Sequence, residues 1–382
     1  MDLSWSQEQT TLFSSIAELA ASDAGSTLQE RDRNGTFDLA AWRRCGKFGL
    51  LGLTVPEQYG GLGLDALTAA GALESFGYGC SDNGLSFSIG AHLFAVTMPI
   101  VELGTEEQKQ RYLPRLIDGS AIGCNAITEP SSGSDAFSLR TAARRVGDRY
   151  VLDGSKVFAT NGPVADLYLV FANVDPNRAA RGLSAFLVER GAPGLEIGKP
   201  TDKLGLRTSP MSELFFDGCE VDASARLGAE GIGAMQFTLA MVWERSFILA
   251  PFVGAMRRVL EHCKRHARER KQFGQAIGKF QLVASKIVDM QLRLETARSL
   301  LYRTGWLKAK GDTCFTESSL TKLYISEAWL ANALDAIQLF GAYGYTEELE
   351  LARELRDASG SRIFSGTSEI QRVMAGELLL DL

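Results

Sequence analysis

The stretch Asn125-Ala-Ile-Thr-Glu-Pro-Ser-Ser-Gly-Ser-Asp135 stands where the period of the chain changes from helical to strand-like. Ala126 and Ile127 read as the end of a buried strand. Pro130 stops the run, because its ring removes a backbone donor and restricts Glu129 before it. The turn at residues 131–135 is rich in amides and hydroxyls and can hold a polar or anionic group against the strand end. The same residues also read as a surface turn between strands.

N-terminal to this stretch the pattern is helical. Residues 7–20 carry Leu12, Phe13, Ile16 and Leu19 at helix spacing, and further helical blocks cover residues 67–76 and 94–103. Tyr59-Gly-Gly-Leu-Gly63 reads as a tight turn, since its glycine spacing does not match a phosphate loop. Thr105 with Glu107 and Gln108 is a helix start. C-terminal to the stretch, residues 150–156 read as a strand ending in a turn, and residues 167–174, 183–189 and 213–216 as further strands. Helical spacing returns after Gly231-Ile-Gly233. Ile287, Met290, Leu294, Ala297 and Leu301 form one stripe, with Asp289, Arg293 and Arg298 on other faces. Short polar links such as Lys310-Gly-Asp312 suit a helical bundle. The expected organisation is α+β: a helical domain over residues 1–118, a mainly antiparallel, barrel-like β-domain over 119–228, and a helical bundle over 229–382.

A chain of 382 residues is long enough for two or three packed units. Forty basic against 46 acidic residues give a formal charge of −6, which argues against a nucleic-acid partner. No membrane-spanning run is read, and Met1-Asp-Leu-Ser-Trp lacks the regions of an export signal. Cys45, Cys80, Cys124, Cys219, Cys263 and Cys314 show no CxxC spacing and read as reduced, which suits a cytoplasmic protein. Of the histidines His92, His262 and His266, the last two lie four apart without an HExxH pattern. They read as a solvated helix face, and no metal is expected.

Five separated motifs, in order along the whole chain, resemble the acyl-CoA dehydrogenase flavoproteins. They are residues 59–63, residues 127–135, Lys203-Leu-Gly-Leu-Arg207 with Ser209, Arg270-Lys-Gln-Phe-Gly274 with Gln281, and Gly366-Thr-Ser-Glu-Ile-Gln371. The resemblance implies a helical domain, a central β-domain and a C-terminal four-helix bundle, with FAD bound between the last two and completed by a neighbouring subunit of a homo-oligomer, expected to be a tetramer. It assigns Thr128 to the flavin ring and Ser134 to a phosphate oxygen. It places Phe158 over the ring and Thr160 near flavin N5. Arg270, with Phe273 and Gln281, would reach a neighbour's dinucleotide, Arg270 being suited to phosphate oxygens. Gln338-Leu-Phe-Gly341 resembles the segment under the partner's dinucleotide, although Ala342 stands where the family commonly has a second glycine. Thr367 and Glu369 would touch the adenosine or pyrophosphate end.

The implied chemistry removes a proton α to a thioester carbonyl, which calls for a carboxylate of raised pKa. Many relatives carry that glutamate just before the Gly-Thr of the last motif, where this chain has Ser365. Trp243-Glu244-Arg245 resembles the branch that carries its base early in the bundle, as isovaleryl and long-chain enzymes do. Glu244 lies among Ala240, Met241, Val242, Phe247, Ile248 and Leu249, and an acid in such a run is paired or functional. Pairing with Arg245 is poor, because adjacent helix residues point apart. Glu244 is therefore the expected base, with Trp243 and Arg245 beside the substrate and the Ser365 amide polarising the carbonyl.

Residues 125–130, 243–245 and 363–368 further resemble dehydrogenases of pyrrole-forming and polyketide pathways, whose prolyl group rides on a peptidyl or acyl carrier protein. The alternatives are a short- or branched-chain acyl-CoA dehydrogenase, a flavin oxidase or monooxygenase relative, and a non-catalytic flavoprotein.

Overall fold

The computed structural model describes residues 4–21 and 27–381. Part of the Met1–Trp5 stretch read for an export signal lies outside them. The helices Gln7–Ala21, Leu39–Phe48, Ala66–Gly79, Asn83–His92, Met98–Leu103 and Glu106–Ile117 build the N-terminal part. The last begins with a full capping box: the Thr105 hydroxyl accepts from the Gln108 amide, and the Gln108 side chain accepts from the Thr105 amide. In the 59–63 turn, Gly60 and Gly63 have φ of +90° and +58°, and a Cβ on Gly61 would lie 2.1 Å from the Val55 carbonyl oxygen. That close approach is why glycine stands there.

The strands are β1 Gly123–Ala126, β2 Ala142–Val146, β3 Arg149–Thr160, β4 Leu167–Asn173, β5 Leu183–Glu189, β6 Leu195–Ile197, β7 Met211–Asp222 and β8 Arg226–Leu227. They run in the order β6-β7-β3-β2-β4-β5-β8, with β1 parallel on β4. The expected barrel is not formed. The sheet is open and mixed, because a barrel needs its first and last strands to pair. Here the ends of the path are the three-residue β6 and the two-residue β8, which do not pair with each other. Among the described residues, the strand pairing between the β7-β3-β2 and β4-β5 leaves is the single parallel pair Ala142↔Asn173. Their facing side chains, Tyr150, Leu152 and Phe216 from one and Tyr168, Val170 and Phe186 from the other, share one core. The opposite face of β4-β5, with Leu169, Phe171 and Leu187, packs with Leu113 and Leu116 of the Glu106–Ile117 helix and with Phe237. Burial on both faces explains why these two strands read as unbroken apolar runs. The turn expected after residue 156 is also absent. β3 continues to Thr160, absorbing irregularities at Leu152/Gly154 and Lys156/Ala159 against β7.

The bundle consists of Gly233–Phe247, Ala250–Glu269, Gln281–Ala309 and Phe315–Phe340, followed by Leu351–Ser361 and Ser368–Leu379. Met290, Leu294, Ala297 and Leu301 are buried along one stripe. Arg293 pairs with Asp335 at 2.7 Å, and Arg298 with Glu74 of the N-terminal part at 2.7 Å. Two helical stretches, Asn83–Leu103 and Gly233–Glu269, are long and apolar enough to cross a membrane. Their most apolar windows are 89% and 94% buried inside the protein, so they are core helices here.

Candidate active site

Glu244 sits on the Gly233–Phe247 helix, 8% exposed. The Ser365 hydroxyl donates to its Oε1 at 2.5 Å, while Oε2 is buried with no partner. Burial pushes the carboxyl above the ordinary glutamate value, against the opposing pull of the Ser365 hydrogen bond, Arg245 and Lys322. Ser365 and Gly366 form a turn with φ of +55° and +89°. Three side chains grip its carbonyls. Arg245 Nε donates to Ser365 O at 3.4 Å, Lys322 Nζ to Gly366 O at 2.6 Å, and Gln371 Nε2 to both at 3.1 and 3.2 Å. Among the described residues no acceptor meets the Ser365 amide, which leaves it able to polarise a carbonyl. Trp243 donates to Glu102 Oε1 at 2.5 Å, and its ring stacks on Phe94 at 6.3 Å.

A second group converges at the end of β1 and β3. Lys156, wholly buried, donates to Glu129 Oε1 at 2.8 Å and to Ile127 O at 3.2 Å. Glu129 also accepts from the amides of Arg140 (2.7 Å) and Thr141 (2.9 Å). Burial works to raise the Glu129 carboxyl, but Lys156 and these donors outweigh it and hold it below the usual range. Burial brings Lys156 down to about 8 against the attraction of Glu129. The pair ties the 125–135 stretch to β3, and the Val157 amide donates to Thr128 O at 2.8 Å. Thr128 and Thr160 are thereby half-buried at one edge, with Ser134 exposed on the turn. Phe158 is 64% exposed at φ +57°, a conformation costly for a bulky side chain. Asn125 Oδ1 is buried without a donor.

Thr367 caps the Ser368–Leu379 helix by accepting from the Ile370 amide at 3.2 Å, and Glu369 is exposed in its first turn. Arg270, Phe273, Gln281, Gln338 and Gly341 gather elsewhere, on an exposed corner of the bundle. Phe340 stacks on His266 at 4.0 Å, which brings residues 338–341 beside the end of the Ala250–Glu269 helix. Phe273 is 92% exposed at φ +50°, and Gly341 has φ +60° with open space beside it. Among the described residues, no hydrogen bond or ring contact joins this corner to Glu244 or the 125–135 stretch. His262 and His266 are not a solvated face: His262 contacts Glu350 at 3.2 Å, and His266 carries Phe340.

The sequence reading missed Lys322 and Gln371, which hold the Ser365 turn. A lysine on the buried phase of an apolar helix gives the same signal that singled out Glu244. It also left the 203–209 motif without a role. Lys203 donates to Leu206 O at 2.7 Å, the Leu206 amide donates to Asp357 at 2.5 Å, and Ser209 meets Ser88 at 2.7 Å. These contacts clamp the β-domain to helices on both sides.

Profiles described as the N-terminal, middle and C-terminal domains of acyl-CoA dehydrogenase match residues 6–120, 124–219 and 230–380. The chain is 44% identical over 382 residues to an L-prolyl-[peptidyl-carrier protein] dehydrogenase of Pseudomonas fluorescens, covering 100% of both chains. Among solved structures it resembles the prolyl acyl carrier protein oxidase AnaB, with a TM-score of 0.97 and 48% identity over 98% of this chain and 100% of that one. It also resembles PigA with FAD and proline, with a TM-score of 0.96 and 38% identity over 99% of each chain.

Proposed function

Since the chain belongs to the acyl-CoA dehydrogenase family, we propose that it oxidises a prolyl group, held as a thioester on a carrier protein, toward pyrrolyl with FAD as cofactor. The observation that carries the chemistry is Glu244, buried, with one carboxylate oxygen bare. The substrate class is supported by relatives that act on carrier-bound proline.

The residues present fit the cofactor. Asn125 Oδ1 lacks a donor, Gly133 opens onto empty space, and Phe158 is held outward against its backbone preference. Thr128, Ser134, Phe158 and Thr160 would hold FAD within the subunit, with Thr367 and Glu369 toward its adenosine or pyrophosphate end. Arg270, Phe273, Gln281, Gln338 and Gly341 would complete the site of a second copy in a homo-oligomer, a role that suits their exposure. When bound, FAD would supply the acceptor for a hydride leaving the β carbon of the substrate.

The chain's own groups do the rest. Glu244 Oε2 takes the α proton, a general-base contribution of about 10²–10⁴-fold. The Ser365 amide donates to the thioester oxygen and stabilises developing enolate charge, worth roughly 10²–10³-fold for such a donor. Arg245 holds the Ser365 carbonyl and so aims that amide. Trp243 forms an apolar wall beside the base.

Anaerobic mixing with a prolyl-loaded carrier protein, and separately with isovaleryl- and butyryl-CoA, tests the reading by flavin bleaching and product mass. Bleaching by the carrier with loss of two hydrogens for each FAD reduced is expected. Bleaching by CoA esters alone would make the chain a short- or branched-chain acyl-CoA dehydrogenase.

A further inference from the structure

We propose that the side chain of Ser365 is a positioning residue for proton abstraction: its hydroxyl pins Glu244 Oε1 and so presents Oε2 to the substrate's α carbon. The inference rests on Glu244 as the base and adds a role for the side chain at a position so far assigned only a backbone one.

The geometry separates the two roles. The turn is held through its carbonyls by Arg245, Lys322 and Gln371, none of which needs the serine hydroxyl. The hydroxyl is spent on Glu244 alone. No other hydrogen bond reaches the carboxylate side chain among the described residues, and the last torsion of a glutamate is broad and roughly two-fold. Without the Ser365 hydroxyl, no hydrogen bond among the described residues distinguishes the two oxygens.

The backbone gives a second argument. Ser365 has φ +55°, in the left-handed region where glycine is at ease and a side chain is not. A side chain kept in that conformation, immediately before Gly366, points to use of the side chain.

The charged groups around the base do not replace the hydroxyl. Arg245 on the same helix and Lys322 on Phe315–Phe340 act on Glu244 through space, while their hydrogen bonds go to the turn carbonyls. Lys308 on Gln281–Ala309 and Glu102 on Met98–Leu103 engage Trp243, one residue away. Ser365 is the group that touches the carboxylate, and a hydrogen bond to the ionised form favours it.

The test uses holoenzyme and prolyl-loaded carrier protein with Ser365→Gly and Ser365→Ala. Both keep the amide; the glycine also relieves the backbone. Anaerobic bleaching is followed against pH, together with exchange of the substrate α proton for deuterium by mass spectrometry. Both variants should retain FAD, lose roughly tenfold in the exchange rate near neutral pH, and show their acid limb moved to higher pH. An unmoved acid limb in both variants overturns the proposal, as does a defect in the alanine variant that glycine restores, since that would be strain alone. Glu244→Gln is run in parallel. If it still exchanges the α proton, the base assignment has failed; if it is silent while both serine variants keep the wild-type pH profile, only the present proposal has failed.

Discussion

A buried carboxylate with one oxygen bare binds its proton more tightly than a surface glutamate does, although the hydroxyl on its other oxygen opposes this. Burial raises Glu244, so over a window above the ordinary glutamate pKa the native protein keeps a proton that the unfolded chain has lost. Stability then falls as pH rises through that window. Glu244→Gln removes this dependence. Its thermal midpoint should equal or exceed that of the wild type near neutral pH, with the difference closing in acid, while activity drops about 10²–10⁴-fold and FAD stays bound. Thermal scans at several pH values, beside bleaching rates, check both halves; full activity would remove Glu244 from the mechanism. The burial of Glu244 was legible because an acid inside an apolar helical run is expensive unless paired or used. Lys322 gave the same signal on the Phe315–Phe340 helix and was not singled out. The positive φ of Phe158 left no mark in the sequence, since nothing local distinguishes a regular strand from one bulged at residues 156–159 by its partner.

At the scale of elements, the buried Lys156–Glu129 pair fastens the 125–135 stretch to β3. Replacing the lysine, as Lys156→Met, leaves Glu129 buried with two amide donors and an uncompensated charge, a loss of about 3–5 kcal/mol. Because Thr128 and Phe158 flank this pair, FAD content should fall as well. A destabilised variant with full FAD would mean that other contacts place the loop. The sign with pH is the usual one for a depressed carboxylate: the contribution of Glu129 is present above its unfolded pKa and disappears as acid titrates it through its lower folded one. Helix contacts carry a second prediction. A Cβ on Gly254 would lie 2.0 Å from the Glu74 carbonyl oxygen, where the Ala66–Gly79 and Ala250–Glu269 helices meet. Gly254→Ala must push them apart, at about 1–3 kcal/mol, read as a lower thermal midpoint. A midpoint equal to the wild type would show that the helices can yield. The strand runs of the β-domain were legible as short apolar runs punctuated by Gly, Pro and Asp. Closure was not, because whether β6 and β8 meet depends on pairings between residues far apart in sequence.

For the whole molecule, the helical, strand and helical thirds were readable from the changes of period near residues 122 and 233, but assembly is written only in which apolar side chains the single chain leaves uncovered. Phe273, Leu282 and Tyr345 are among the most exposed large apolar residues, at 92%, 84% and 85%, and Leu292 and Leu334 add to the exposed bundle surface. Such a surface fits the homo-oligomer proposed above. Among the described residues no hydrogen bond or ring contact joins the corner carrying Arg270 to Glu244, so the cofactor role proposed for it would run through a second copy. Arg270→Ala should therefore weaken FAD and the oligomer together. Loss of a charge-assisted contact to phosphate predicts FAD affinity lower by roughly tenfold or more. Sedimentation and flavin fluorescence across a dilution series measure both quantities on one sample. Coincident dissociation of FAD and subunits, shifted to higher protein concentration in the variant, is the expected result. If Arg270→Ala keeps FAD saturated at dilutions where the subunits have separated, each subunit holds its cofactor unaided and the exposed corner serves some other contact.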